Sequence, residues 1–316
     1  MRIFYASDIH GSDRCFKKFL NAAAFYKADA LVLGGDITGK AIVPLIDSGK
    51  EVRATFLGTD YVLTSEEEIT ALSQRIADTG YYVHRCSPED AAAFREDDAA
   101  LQRMFVTRIV ERIERWMARA DERLTGDAAV PCFINAGNDD PPDIDEVIDA
   151  AERVTFLEGR VVPMPAGLEL ASCGYANRTP WNCPRDVEEP ELAQRLDAVA
   201  SQVSDPSWAL FNFHCPPYDS QIDAGPKLDD DFRLRQTAGG VEMQPVGSTA
   251  CRDVIERYQP LMGLHGHLHE SRGTVKVGRT VCVNPGSEYT EGVLRGAVID
   301  LHERKRKVKN CVLTTG

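Results

Sequence analysis

The first 36 residues limit the fold more than any other part of the chain. Two short apolar runs, residues 3–6 and 30–34, each lead into an acidic segment. Between them, residues 13–27 space Phe16, Phe19, Leu20, Ala23 and Phe25 along one helical face. Strand, helix and strand at this pitch predict a βαβ unit with both strands in a buried sheet. Residues 132–136 form another apolar run, closed by Gly137. Further strands are expected at 209–213, 261–264, 281–283 and 296–301. The last of these and residues 308–313 flank the charged turn 302–307, which predicts a closing hairpin and accounts for the basic run from Arg304 to Lys307.

Residues 40–130 break this rhythm and are expected to form a largely helical insertion. Ser65-Glu66-Glu67-Glu68 is a capping box that starts a helix ending near Thr79 and Gly80. Ser87-Pro88-Glu89-Asp90 opens a longer helix to about Leu124. Its apolar stripe runs through Leu101, Phe105, Ile109, Ile113, Trp116, Ala120 and Leu124, while the other face mixes Arg with acids. The plain reading is a surface helix packed on its own domain. The sharper one is a cap over a site, or a homodimer contact. No Gly/Ser linker marks a second domain, so residues 1–316 are read as one α/β domain.

Composition narrows the class. The 316 residues carry 36 Lys+Arg against 49 Asp+Glu, a formal charge of −13, with 43% hydrophobic residues, as in a soluble globular protein. Such an acidic balance argues against nucleic acid as a partner. No apolar run is long enough for a membrane span, and nothing at the start resembles a signal peptide. Nine scattered cysteines without a C-x-x-C pair favour reduced thiols and a cytoplasmic location.

Five segments at the ends of expected strands carry metal-ligand chemistry: Asp8-Ile9-His10, Gly34-Gly35-Asp36, Gly137-Asn138-Asp139-Asp140, Asn212-Phe213-His214-Cys215 and Gly266-His267-Leu268-His269. Loops after parallel strands gather at one sheet edge, so these distant segments can converge. Five of the seven histidines, His10, His214, His265, His267 and His269, fall in or beside them. Carboxylate, imidazole and amide ligands together suit Mn, Fe, Zn or Co. Each motif alone is common. The ordered set is specific.

In this ordered set the chain resembles the calcineurin-like metallophosphoesterase superfamily, with Asn284-Pro285-Gly286-Ser287 as a further match. The resemblance implies a four-layer α-β-β-α sandwich with a two-metal site at the sheet edge. By motif, Asp8, His10 and His269 would hold one ion, Asn138, His214 and His267 the other, and Asp36 would bridge them. It further implies a metal-dependent hydrolase that attacks a small phosphate ester with a hydroxide shared by two divalent ions, manganese being favoured. A diester or nucleotide-like substrate is expected.

The family pattern places a histidine after the asparagine, as proton donor to the leaving group. This chain has Asp139 there. An ionised aspartate repels phosphate and has no proton to give, whereas a buried, protonated one could donate. The expectation is a reaction carried mostly by the metals, with Asp139 orienting water or substrate. In the segment 174–181, Asn177 and Arg178 are candidate substrate contacts, Arg178 for its bidentate fit to phosphate; an ordinary turn is the competing reading. The acid run Asp229-Asp230-Asp231 reads as solvated or as a gate. His265 and Cys215 are expected to be buried and structural, His84 and His302 to be peripheral. Two other functional readings remain at this level: a metal-binding scaffold or sensor with little catalysis, and a protein phosphatase.

Overall fold

The computed structural model describes residues 1–126, 129–229, 233–237 and 239–316; Asp230 and Asp231 of the acid run lie outside them. It is a mixed α/β structure. One six-stranded sheet has the order Lys307–Thr315, Arg295–His302, Arg2–Ala6, Ala30–Leu33, Cys132–Ile134 and Val154–Phe156. A second has the order Gly273–Val277, Thr280–Asn284, Met262–Leu264, Ala209–Phe213, Glu169–Cys173 and Val161–Pro163. The four central strands of the second sheet run parallel, as do the last four of the first. The N-terminal βαβ unit and the C-terminal hairpin are both present.

Side-chain alternation explains why both sheets are buried. In Arg2–Ala6, Ile3 and Tyr5 join Leu170, Leu210, Met262 and Leu264 in a core between the two sheets. Phe4 and Ala6 point the other way, into a cluster with Phe16 and Phe19 of the helix Asp13–Tyr26 and Ile113 and Trp116 of the helix Asp98–Arg123. The outer face of the second sheet packs on Leu192 and Leu196 of the helix Glu189–Ala200 and Val254 and Ile255 of Thr249–Tyr258. Both faces apolar is what parallel strands between layers require.

The segment 40–130 is less uniform than expected. It contains a four-stranded sheet, in the order Thr59–Leu63, Val52–Phe56, Ile42–Asp47, Tyr82–Cys86, which packs on the helix Glu66–Asp78. The capping box at Ser65 and Glu68 forms as read. The long helix expected from Ser87 is two helices, Pro88–Glu96 and Asp98–Arg123. Asp97 is extended between them and caps the second through the Ala100 N–H at 2.9 Å. Phe25, read with the apolar helical spacing, is exposed; its neighbour Tyr26 stacks on Phe4 instead.

The helix Asp98–Arg123 belongs to the main core and reaches the loop that carries His10. Trp116 stacks on Phe16 at 4.3 Å and donates to Asp13 at 2.7 Å. Arg112, placed by the sequence on a solvated face, is buried; it donates to the Gly11 carbonyl at 2.5 Å and lies 3.3 Å from Asp13. Trp116→Ala is therefore expected to cost about 3–5 kcal/mol of folding stability, measured by urea unfolding. A loss below about 1 kcal/mol would mean that the helix is an appendage.

Candidate metal centre

The strand register sets the site. Ala6 pairs with Leu33 and Leu33 with Ile134, so the loops bearing Asp8, Asp36 and Asn138 leave one edge together. In the second sheet Cys173 aligns with Phe213, and Asn212 with Leu264, bringing His214 and the Gly266–His269 loop to the same edge. Cross-sheet hydrogen bonds join the two: Asn212 Nδ2 donates to the Gly34 carbonyl at 3.3 Å, and the Tyr5 hydroxyl to the His265 carbonyl at 2.9 Å. The His267 N–H donates to Asp8 Oδ1 at 2.8 Å. Asn284 adds amide donation to the Gly266 and Leu268 carbonyls, holding the histidine loop from behind.

Three groups of ligand atoms lie within 4.8 Å of one another: Asp8, His10 and His269; Asp36, His214 and His267; and His10, Asp36 and Asp139. The ring nitrogens His10 Nε2 and His269 Nε2 are 2.9 Å apart. Asp36 Oδ2 lies 3.8 Å from His10 Nε2 and 3.3 Å from His214 Nε2, between the first two groups. Asn138 Oδ1 is 2.8 Å from His267 Nδ1, and its amide donates to Asp186 at 2.9 Å. The structure thus gathers all seven expected ligand side chains.

Backbone geometry at the centre is unusual. Asp8, His10, Asp36 and His267 have φ of 56°, 37°, 49° and 68°, in the left-handed region that non-glycine residues seldom occupy. Each such residue costs about 1–3 kcal/mol and persists only where the surroundings enforce it. Gly35 is needed for close approach: a Cβ there would sit 2.7 Å from His214 Nδ1, at a φ of 140°.

The donor set fits divalent cations. His10 Nδ1 and both ring nitrogens of His214 are buried without a hydrogen-bond partner, an arrangement that an apolar or hydrogen-bonded role does not explain. Burial opposes charge on Asp8 and Asp36, yet neighbouring imidazoles outweigh it. Asp8 falls to about 2 through His269 and His214. Asp36 falls well below the usual carboxylate range through His214 and His10. His214 rises to about 10, because the Asp36 and Asp8 carboxylates overcome the burial penalty. Burial, with Lys40 and His269 nearby, lowers His10 to about 3. Without cations, a protonated His214 offsets part of the negative charge on Asp8 and Asp36.

Other sequence candidates are placed as follows. Asp139 is an ion-pair partner: its Oδ2 lies 2.6 Å from Lys40 Nζ and its Oδ1 accepts from Cys183 Sγ at 2.7 Å. Lys40 was missed, although it follows Asp36 by four residues in the same strand-end loop. Asp140 is a structural clamp; buried, it accepts from the N–H groups of Ile37, Thr38 and Gly137 at 3.0, 2.8 and 2.7 Å. Burial and Asp36 raise its carboxyl to about 6. Asn177 donates to the Val246 carbonyl, and Arg178 is paired with Glu188 at 2.6 Å. His265 is buried with Nδ1 2.7 Å from the Phe213 carbonyl, and Cys215 is buried beside it.

No protein-family model matches the chain. It is 30% identical over 145 residues to an uncharacterized protein, MJ1162, of Methanocaldococcus jannaschii; the match covers 45% of this chain and 59% of that one. The chain therefore spans less than two thirds of that relative's length. Among solved structures it is similar to TT1561 of Thermus thermophilus, with a TM-score of 0.54 and 15% identity over 100% of this chain and 97% of that one. It also matches YfcE, a phosphoesterase from E. coli, with a TM-score of 0.30 and 11% identity over 99% and 98% of the two chains. The chain shares its fold with TT1561. Among the described residues no helix is long and apolar enough to cross a membrane.

A metal-bound imidazole must be neutral, so uptake of divalent ions has to displace the proton that Asp36 and Asp8 hold on His214. With His214 raised to about 10, affinity should climb with pH from neutrality toward that value. Calorimetric Mn²⁺ titration in buffers of different ionisation enthalpy should show proton release at neutral pH. Uptake without proton release, at a pH-independent affinity, would contradict this electrostatic arrangement.

Proposed function

We propose that the chain is a dinuclear metal-dependent phosphoesterase, a single four-layer α-β-β-α domain with the insertion at 40–130, acting on small phosphate esters with diesters or nucleotide-like compounds favoured. The observation that carries this reading is the convergence of Asp8, His10, Asp36, His214, His267 and His269 from widely separated loops, with buried imidazole nitrogens on His10 and His214 that make no hydrogen bond among the described residues. Asp8, His10 and His269 would hold one ion and Asn138, His214 and His267 the other. Asp36 would serve both, since a carboxylate offers two oxygens. Two divalent ions held there, manganese or else iron, zinc or cobalt, would lower the pKa of water and neutralise phosphoryl charge.

Two cavities flank this centre. One, of about 660 Å³, is bounded by Asn177, Arg178, Tyr218 and His267; the other, of about 470 Å³, by Lys40, Phe105, Asp139 and Cys183. Trp181, 74% exposed, lines both. A monoester needs only one such space, whereas a diester carries a substituent on each side of phosphorus. Asn177 and Arg178 then act as contacts for one ester arm. The ring of Trp181 offers an apolar face to either arm. The nine thiols are free, seven of them buried, which suits a reducing cytoplasm.

Protein reconstituted with Mn²⁺ is expected to hydrolyse an aryl phosphate diester with a higher kcat/KM than the matching monoester. Asp36→Ala should lower that activity by roughly 100-fold or more. Stoichiometric Mn²⁺ binding with no hydrolysis of either ester would overturn the enzymatic reading in favour of a metal-binding scaffold.

A further inference from the structure

The position that Asp139 occupies holds a cation. Lys40 Nζ is 2.6 Å from Asp139 Oδ2, and the other carboxylate oxygen is taken by the Cys183 thiol at 2.7 Å. Burial and Asp139 raise that thiol to about 12, so it remains an S–H donor. Asp139 also lies within reach of ligand atoms on His10 and Asp36. Its two oxygens are engaged by Lys40 and Cys183, which makes it a holder of the ammonium group.

This pair differs from an ordinary surface salt bridge in how its two loops are joined. Asp140, next to Asp139, binds the backbone N–H groups of Ile37 and Thr38 and the Thr38 hydroxyl, the last at 2.7 Å. It thereby staples the loop that ends in Lys40 to the loop that bears Asp139. The residue before Lys40 is equally fixed: the Gly39 N–H donates to the Tyr82 hydroxyl at 2.7 Å, and the Gly80 carbonyl sits where a Cβ would go. A solvent-exposed pair held by two flexible side chains is worth about 0–1 kcal/mol; here both side chains leave backbone that hydrogen bonds fix in place. The Lys40 side chain is 50% exposed and opens on the 470 Å³ cavity, while Asp139 is 18% exposed beneath it.

We propose that Lys40, held by Asp139, is a catalytic residue whose ammonium group contacts the departing ester oxygen and takes over the charge-stabilising work of the histidine that this chain lacks. The proposal rests on the phosphoesterase reading and deepens it. In hydrolysis the oxygen of water forms a new bond to phosphorus, the bond from phosphorus to the leaving oxygen breaks, and its electron pair stays on that oxygen. Lys40 donates a hydrogen bond to the oxygen as charge grows there. The proton that completes the alcohol is balanced by the one that water gives up. The lysine also cancels the charge of Asp139, which would otherwise repel an anionic phosphate. Asp139 and Asp140 act through Lys40 and are positioning residues.

The dependence on leaving group tests this. Mn²⁺-loaded wild type, Lys40→Met and Lys40→Arg would be assayed on methyl p-nitrophenyl phosphate and methyl phenyl phosphate, and titrated with inorganic phosphate. Lys40→Met should lower kcat on the phenyl ester by about 100-fold and on the nitrophenyl ester, whose leaving group needs less help, by under about 10-fold. Lys40→Arg should restore part of the difference, Mn²⁺ stoichiometry should be unchanged in both variants, and phosphate affinity should weaken about 10-fold in Lys40→Met. Equal losses on the two esters, or no loss, would overturn the role of Lys40 while leaving the phosphoesterase reading intact. If wild type hydrolyses neither ester, that reading fails, and the phosphate titration still decides whether Lys40 meets the anion: unchanged affinity refutes the contact and weakened affinity supports it.

Discussion

Asp8, Asp36 and His214 are buried ionisable groups, with His214 Nε2 3.9 Å from Asp8 and 3.3 Å from Asp36, and the fold around them keeps them from relaxing. Burial of each alone would be strongly unfavourable. Together the carboxylates favour a proton on His214, and the same negative charge suits the site to divalent cations. Two sheets with apolar faces on both sides supply the rigid frame. The hydrogen bonds from Asn212 to Gly34 and from Tyr5 to His265 cross from one sheet to the other at the edge where the ligands meet.

Rigidity shows in the backbone. The left-handed conformations of Asp8, His10, Asp36 and His267 aim side chains inward from turns that would relax in an isolated peptide. Much of the support lies outside the ligands themselves. Asp140 ties two ligand loops together, Arg112 holds the carbonyl next to His10, and the Ser287 hydroxyl binds the Asp8 carbonyl at 2.6 Å. Such supporting contacts commonly change metal affinity or activity by about 10–100-fold when removed. The helix Asp98–Arg123 therefore contributes to the centre although it supplies no ligand.

The ligand loops were readable because each follows a short apolar run, and metal-binding side chains at five strand ends in one chain rarely occur by chance. The small sheet within 40–130 was not read, although Val52–Phe56 alternates buried and exposed residues. The turn after it has Leu57 and Gly58 both at positive φ, a hairpin geometry. The capping signals that follow it, at Ser65 and Ser87, are stronger in the sequence than that short period-two pattern. The break at Asp97 was hidden because the apolar stripe of the second helix continues in phase with the first. Lys40 and Arg112 escaped for a different reason. A basic residue in a polar segment reads as solvated, and only tertiary structure shows that one sits on Asp139 and the other under the His10 loop. Asp139 stood out in the sequence as a departure from the family pattern, but its ion pair depends on a residue 99 positions away.

A bimetallic centre is the claim on which the chemistry stands, and diffraction at the manganese edge from crystals soaked in Mn²⁺ measures it directly. The account predicts two anomalous peaks about 3.5–4 Å apart, one beside Asp8, His10 and His269, the other beside Asn138, His214 and His267, with Asp36 between them. No peak at this edge of the sheets, or a single ion bound through Asp139 with Lys40 displaced, would contradict it.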